Sequence, residues 1–318
     1  MPLDPSFQAL MTQAATQAQS TPREPAAIVA RERAALERAK ALLTVSSEPE
    51  VHVEDHILPG PSGDIPVRLY RPEGPGPFPI LMCFHGGLAF GDLDTHAPLC
   101  RPLCHEIDCL VVSVDYRLAP EHQFPAGLED CYAATCWMAA HAEEFQGDPA
   151  RIAVSGDSGG GYLAAATALM IRDRGGPTLV FQLLLWPAMD FRITTTSWKD
   201  YDGYLISSEE FLIFREIYLP SEAEQSNPYA APSLAPDLHG LPPALVITAE
   251  CDPLRDGGED YGQRLREAGV PATISRYEGM VHGFMYMRNL VPQEAHQAFT
   301  EATDALRIAF ADNSQRTQ

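Results

Sequence analysis

A glycine-rich sequence around Ser158 carries the pattern of an activated serine. Gly156 to Gly160 match G-x-S-x-G, between an apolar strand pattern and a stretch of helical character. In such a unit the serine occupies a strained turn that exposes its hydroxyl, and side chains at Gly156 and Gly160 would collide. The helix that follows directs free N–H groups toward a developing anion. The segment matches neither G-x-G-x-x-G nor a Walker A loop, so Ser158 is predicted to be a nucleophile.

Three histidines follow Ser158 and could supply the base that removes its proton. His296 lies in a helical pattern and is expected at the surface, whereas His239 lies in a proline-rich linker. His282 follows a strand pattern in a glycine-flanked loop, where an imidazole could reach the serine hydroxyl. It could instead be a loop histidine bonded to backbone, but the intact serine motif favours the base.

The acid that orients the histidine is expected between Ser158 and His282 in the chain. Asp252 occupies the tip of an apolar strand pattern and is the preferred candidate. Asp followed by Pro is also typical of a helix N-cap, and both roles could coexist. Glu250 and Asp256 remain rivals, because a carboxylate at either position could face the imidazole.

A second glycine-rich loop runs from Phe84 to Gly91, directly after an apolar strand pattern. Its backbone N–H groups could face a reacting carbonyl, and Gly159 should supply another N–H. Taken alone, the His-Gly-Gly of this loop could equally mark a simple turn. Asp157, adjacent to the predicted nucleophile, is expected to be a local hydrogen-bond acceptor rather than the acid.

The chain around these loops has the periodicity of an α/β protein. From residue 50, apolar strand patterns alternate with helical patterns over 95–107, 125–145, 160–174 and 257–269, which predicts a parallel sheet with helices on both faces. Residues 1–45 are helical in pattern and include a capping box from Thr21 to Glu24. Residues 188–243 interrupt the alternation, and an insertion there would lie above the carboxyl ends of the strands.

Composition excludes several classes of protein. The 318 residues carry a formal net charge of −21 and no basic block, so a surface that binds nucleic acid is not expected. The N-terminus has no signal-peptide pattern, and the longest apolar stretch is too short to span a bilayer. Seven scattered cysteines without a disulfide-framework spacing are typical of reduced thiols, and we expect a cytoplasmic protein.

One group of side chains, His96, Cys100, Cys104 and His105, could be interpreted as metal ligands. No CxxC pair supports that interpretation, and small apolar side chains on a helix explain the cysteines equally well. We therefore expect neither a structural nor a catalytic metal.

Five motifs occur in the order found in the hormone-sensitive-lipase-like α/β-hydrolases, also called bacterial family IV esterases. The chain resembles this family over roughly residues 50–310. The motifs are His85-Gly86-Gly87, DYRLAPE from Asp115 to Glu121, Gly156-Asp157-Ser158-Gly159-Gly160, Asp252-Pro253-Leu254-Arg255-Asp256 and His282-Gly283-Phe284.

The resemblance implies an α/β-hydrolase fold, with a mostly parallel central sheet of about eight strands, helices on both faces and a helical cap. The cap would comprise the N-terminal helices, 1–45, and an insertion, 188–225. Residues 46–187 and 226–318 would form the catalytic domain.

The resemblance places Ser158, Asp252 and His282 in a catalytic triad. It places oxyanion donors at Gly87, Leu88 and Gly159, and Gly86 of the same loop completes the predicted oxyanion hole. The family usually has a third glycine where this chain has Leu88, and alanine where it has Gly159. Both positions act through backbone N–H groups, so the departures concern the shape of the acyl pocket and the rigidity of the loop.

The predicted function is a carboxylesterase that hydrolyses short- to medium-chain acyl esters through an acyl-enzyme, without cofactor. An amidase or arylformamidase with the same triad is the nearest alternative, and nothing in the sequence separates them. A non-catalytic small-molecule receptor on this fold would lack the histidine, and His282 is present. The expected partners are a small-molecule ester and, through an edge strand in the segment ATISRYE, a second copy of the chain.

Overall fold

A computed structural model of the chain describes residues 3–8, 11, 24–43 and 50–314. Its eight strands form one sheet in the order β1-β2-β4-β3-β5-β6-β7-β8, in which only β2 runs antiparallel to its neighbours. The strands are β1 (His52–Gly60), β2 (Gly63–Arg71), β3 (Phe78–Phe84), β4 (Leu110–Val114), β5 (Gly147–Asp157), β6 (Leu179–Leu185), β7 (Ala244–Cys251) and β8 (Ala272–Val281). The prediction of a mostly parallel sheet of about eight strands is confirmed.

The helices of the described residues agree closely with the predicted patterns. They are α1 (Pro25–Leu43), α2 (Leu93–Ile107), α3 (Ala126–Ala140), α4 (Gly159–Arg174), α5 (Thr196–Tyr201), α6 (Ser208–Tyr218), α7 (Arg255–Glu267) and α8 (Pro292–Ser314). The largest difference is at the end of α3, where Ala142–Phe145 form a separate 3₁₀ turn. None of the described helices is both long and apolar enough to cross a membrane.

The sheet separates two apolar cores because successive residues of a strand point to opposite faces. On β3, Leu81 packs into the core beneath α2 and α8, and Met82 packs into the core beneath α3 and α4. Every residue of β3 and β4 is buried, whereas most of the edge strand β1 is not. Continuous apolar runs therefore mark the centre of the sheet, where the carboxyl ends carry the predicted site.

Helix α6 begins with a side-chain cap, whereas most of the capping box predicted from Thr21 to Glu24 lies outside the described residues. Ser207 is the N-cap of α6, and its hydroxyl accepts a hydrogen bond from the N–H of Glu210 at 3.2 Å. Thr21 to Arg23, before α1, lie outside the described residues. Residues 3–8 pack against the sheet itself, since Phe7 is fully buried and the N–H of Asp4 donates to Gly279.

Candidate active site

Ser158 lies at the sharp turn between β5 and α4. Its backbone has φ 53° and ψ −118°, a conformation that is strained for a residue with a side chain. A Cβ at Gly156 would collide with the carbonyl of Gly160, and one at Gly160 would collide with the carbonyl of Phe84. Glycine is therefore required at both positions, as predicted. At Gly160 the atom that excludes a side chain belongs to Phe84, the last residue of β3, and not to the turn itself.

Ser158, His282 and Asp252 form a continuous hydrogen-bonded chain. His282 Nε2 lies 2.9 Å from Ser158 Oγ, and its Nδ1 lies 2.8 Å from Asp252 Oδ2. The Asp252 carboxylate is buried, and its second oxygen accepts the N–H of Leu254 at 2.9 Å. An acceptor at Nδ1 places the proton on that nitrogen and leaves Nε2 free to accept the serine proton.

The rival carboxylates face other groups. Glu250 Oε2 accepts the N–H of Gly279 at 2.7 Å, and Asp256 Oδ2 accepts the N–H of Ser197 at 2.8 Å. The helix N-cap suggested for Asp252 is occupied instead by Leu254, because α7 begins at Arg255.

The other histidines lie away from the serine, as expected. His239 is exposed and contacts Asp237, and His296 is exposed on α8.

The loop after β3 is held from behind by Tyr116 of the DYRLAPE motif. Its ring stacks on His85, with centroids 4.2 Å apart, and its hydroxyl lies 2.7 Å from the carbonyl oxygens of both His85 and Gly87. Burial lowers the pKa of His85 to about 4, so this imidazole is neutral near pH 7. Gly87, with φ 80°, turns the chain where a Cβ would meet Phe90.

Gly86 packs closely against Asp157, since a Cβ on Gly86 would lie 2.6 Å from Oδ2 of that carboxylate. Burial raises the pKa of Asp157, and the nearby His96, His282 and Gly86 N–H partly offset this rise. The role of Asp157 as a local acceptor and that of Gly86 as an oxyanion donor both stay predictions.

Gly87, Leu88 and Gly159 lie close together beside the turn that carries Ser158. A Cβ on Gly159 would lie 3.3 Å from the backbone nitrogen of Gly87 and 3.0 Å from Cγ of Leu88. The Leu88 side chain therefore occupies space beside Gly159 that an alanine methyl at position 159 would need.

Comparisons with known proteins agree with this architecture. A family model for the alpha/beta hydrolase fold matches residues 81–286. The carboxylic ester hydrolase LipN of Mycobacterium tuberculosis is 44% identical over 261 residues, which cover 79% of this chain and 69% of LipN. The carboxylesterase NlhH of the same species is 42% identical, covering 78% of this chain and 80% of NlhH. A hyperthermophilic esterase from Pyrobaculum calidifontis has a TM-score of 0.90 and 39% identity, covering 96% of this chain and 98% of that one.

This chain belongs to the hormone-sensitive-lipase-like α/β-hydrolases. The matching family model covers more than half of the chain, and the relatives cover most of it. As an enzyme it is a carboxylesterase.

The esterase has a cavity of about 470 Å³ that opens onto Ser158 and His282. Its walls are mainly apolar and aromatic, from both the sheet and the helices above it. They include Leu36 of α1, Phe211 and Phe214 of α6, and Phe90, Phe191, Trp186 and Tyr286. A larger and more open groove, of about 1720 Å³, lies between β8 and α8 and contains none of the predicted site residues.

Helix α1 is fastened to the loop after β3 by Arg33. Its Nε donates to the carbonyl of Ala89 at 2.9 Å, and its other nitrogens reach the carbonyl of Ala119 and the carboxylate of Glu121. Neighbouring Arg31 forms an ion pair with Glu210 of α6 at 2.9 Å. The segment before β1 thus contacts both the loop beside the serine and the inserted helix.

The sequence did not predict that Tyr116 and Arg33 hold the loop after β3 in place. Tyr116 belongs to the DYRLAPE motif, but its hydroxyl contacts residues 29 and 31 positions away in the chain. A tyrosine and a histidine–glycine loop that follow successive buried strands were the available signal, because such strands end at the same edge of a sheet.

Proposed function

We propose that this carboxylesterase hydrolyses short- to medium-chain acyl esters through a Ser158–His282–Asp252 triad and an acyl-enzyme. The observation that carries the proposal is the unbroken chain of hydrogen bonds from the Ser158 hydroxyl to the buried Asp252 carboxylate. Each residue lies where its proposed task requires, since a base must be within hydrogen-bond reach of the proton it removes.

In the acylation step, Ser158 Oγ attacks the ester carbonyl while His282 Nε2 takes the hydroxyl proton. The carbonyl oxygen becomes an oxyanion that accepts hydrogen bonds from the N–H groups of Gly87, Leu88 and Gly159. His282 returns the proton to the departing alcohol, leaving the acyl group on Ser158. Asp252 holds the imidazole in the required tautomer and stabilises its positive charge.

Deacylation repeats these steps with water in place of the serine. His282 takes a proton from the water as it attacks the acyl carbonyl, and the same N–H groups stabilise the second oxyanion. The proton then passes to Ser158 Oγ, which releases the carboxylic acid. The cycle balances without a metal or redox partner.

The cavity supports esters of modest size. Its volume of about 470 Å³ lies toward the lower end of the range for small-molecule sites, roughly 300–1,000 Å³. Its apolar walls favour an acyl or alcohol group without charge, and the carboxylates of Glu32 and Glu210 beside it disfavour anionic substrates.

We assign residues 1–45 and 188–225 to a cap over a catalytic domain of residues 46–187 and 226–318. The support is that α1 and α6 contact one another and both line the cavity. Because Phe7 is buried against the sheet, removing all of 1–45 would also destabilise the catalytic domain. Single substitutions in the cap are therefore the cleaner test.

The test compares p-nitrophenyl esters of increasing chain length with the matching p-nitroanilides. We expect kcat/KM to be highest for a short or medium acyl chain, to fall for long chains, and to be far lower for every anilide. Ser158→Ala protein is the control for hydrolysis by anything else in the preparation. Comparable rates on anilides would favour an amidase, and ligand binding without turnover would favour a receptor.

We also propose a cytoplasmic protein that pairs with a second copy. All seven cysteines are free, which supports a reducing compartment. Strand β8 lies at the edge of the sheet with its outer side unpaired by any strand of the described residues, which supports pairing between copies. Light scattering of the purified protein at several concentrations would report a monomer if the edge is not used.

A further inference from the structure

A second group of reactive side chains lies behind the active site. It comprises Cys83 on β3 with His96 and Cys100 on α2, and all three are almost fully buried. His96 and Cys100 are four residues apart and so share one face of the helix. One ligand atom from each residue lies within 4.8 Å of those of the other two. The proposed hydrolysis uses none of them.

The two nitrogens of His96 have different surroundings. Nδ1 lies 3.3 Å from Asp157 Oδ1 and 3.2 Å from the hydroxyl of Tyr286. Nε2 is buried and has no hydrogen-bond partner. A histidine that binds a metal through one nitrogen commonly donates the other N–H to a carboxylate. Asp157 Oδ1, which has no hydrogen-bond partner among the described residues, lies 3.3 Å from Nδ1 and would be that carboxylate. Nε2 is then the nitrogen that is left to bind a metal ion.

The spacing of the three atoms suits a metal ion. A point equidistant from three atoms at the 4.8 Å limit lies about 2.8 Å from each, and zinc–sulfur bonds are about 2.3 Å long. A shift of about half an ångström in each side chain would complete the site. Two thiolates and an imidazole form a soft ligand set, which selects thiophilic cations over Mg²⁺ or Ca²⁺.

We propose that Cys83, His96 and Cys100 bind one soft divalent cation of the zinc and cadmium class. The metal ligands considered from the sequence were His96, Cys100, Cys104 and His105, and Cys83 was not among them. In the fold, Cys104 lies outside the cluster and His105 points to solvent.

The charges of the cluster suit a cation. Binding would convert both cysteines to thiolates and leave His96 with its proton on Nδ1. Two protons would be released, one from each thiol, and the two thiolates balance the charge of the cation.

The test titrates the full-length, reduced, metal-free protein with Cd²⁺. We expect one equivalent to bind with a thiolate-to-cadmium charge-transfer band, the release of two protons and a higher Tm. Cys83→Ala and His96→Gln should each weaken binding by on the order of 100-fold. Cys104→Ala is the matched control, because Cys104 is buried on the same helix, and it should bind as the wild type does.

The unfolding transition without Cd²⁺ shows whether each variant is folded. If Cys83→Ala fails to fold, His96→Gln decides the question because it keeps both thiols. The proposal is overturned if wild-type protein binds no Cd²⁺, or if folded His96→Gln binds it as tightly as the wild type. Loss of binding in Cys104→Ala would equally overturn it, by placing the site elsewhere on α2.

Discussion

The two sides of the cavity are held together by different kinds of contact. On the sheet side, His282 is hydrogen-bonded at both nitrogens and Asp252 is buried. On the helical side, Arg31 and Glu210 join α1 to α6 through side chains that are 31% and 27% exposed. A buried hydrogen bond to a charged group contributes about 1.5–3 kcal/mol, and an exposed ion pair about 0–1 kcal/mol.

We expect the sheet side of the cavity to control catalysis and the helical side to control substrate selectivity. Side chains that must keep hydrogen-bond geometry within a few tenths of an ångström come from β5, β7, β8 and the loops after them. The walls that meet the substrate's apolar groups include half-buried residues such as Phe211 and Phe214 of α6. Substitutions on the sheet side should therefore change kcat for every ester, and those on the helical side should change the ranking of esters.

The largest effect is expected for Ser158→Ala. Removal of the nucleophile should lower kcat by on the order of 10⁴ to 10⁶ for all esters. The Tm should remain within a few degrees, or rise, because alanine removes only the hydroxyl. Activity within tenfold of wild type would assign the nucleophile to another residue, and labelling by a serine-directed phosphonate would identify it.

Asp252→Asn should have the next largest effect, a loss of about 10⁴ in kcat. The amide would hold His282 in the tautomer that cannot accept the serine proton. Glu250→Gln and Asp256→Asn are matched controls, since both carboxylates bond to backbone N–H groups elsewhere. If either control lost more activity than Asp252→Asn, the acid would have to be reassigned.

Two substitutions of Leu88 distinguish the role of its backbone N–H from that of its side chain. Leu88→Pro removes the N–H and should lower kcat by on the order of 10² or more for every ester. Leu88→Gly keeps the N–H, so the best small ester should stay within about tenfold of wild type while bulkier esters improve. Equal damage from both variants, measured across an ester series, would mean that the leucine side chain holds the loop in place.

The contact between Leu88 and Gly159 allows a second test of the role of the leucine side chain. Gly159→Ala would place a methyl 3.0 Å from Leu88 Cγ, and overpacking of this kind costs about 1–3 kcal/mol. We expect kcat/KM to fall by roughly 5- to 100-fold. Adding Leu88→Gly should restore much of it, because only the approach to the Gly87 nitrogen, at 3.3 Å, would then remain. A double-mutant cycle without coupling would show that the two positions act independently.

The smallest effect is expected on the helical side, for Glu210→Gln. Loss of its ion pair with Arg31 should change KM for larger esters by less than about fivefold, with kcat unchanged. Glu216→Gln, on the exposed side of the same helix, is the control and should change neither. A fall in kcat for all esters with Glu210→Gln would contradict the division between the two sides.

Features with a local cause could be predicted from the sequence. The G-x-S-x-G segment predicts its strained turn, and within that turn the carbonyl of Gly160 excludes a side chain at Gly156. Continuous apolar runs predicted the central strands, since a strand covered on both faces has no polar side. His282 was selected by its place after a strand, and it lies beside Ser158.

The directions in which side chains point became known only from the packing of the strands and helices. Glu250, Asp252 and Asp256 lie within seven residues, and the paths of β7 and α7 alone direct Asp252 to the imidazole. The carboxylate of Asp157 packs against Gly86, which lies 71 positions earlier in the chain, and no local pattern shows this contact. The Cys83 cluster joins β3 to α2 across 17 residues of sequence. Sequence spacing specifies neighbours along one element, whereas these contacts depend on how separate elements pack.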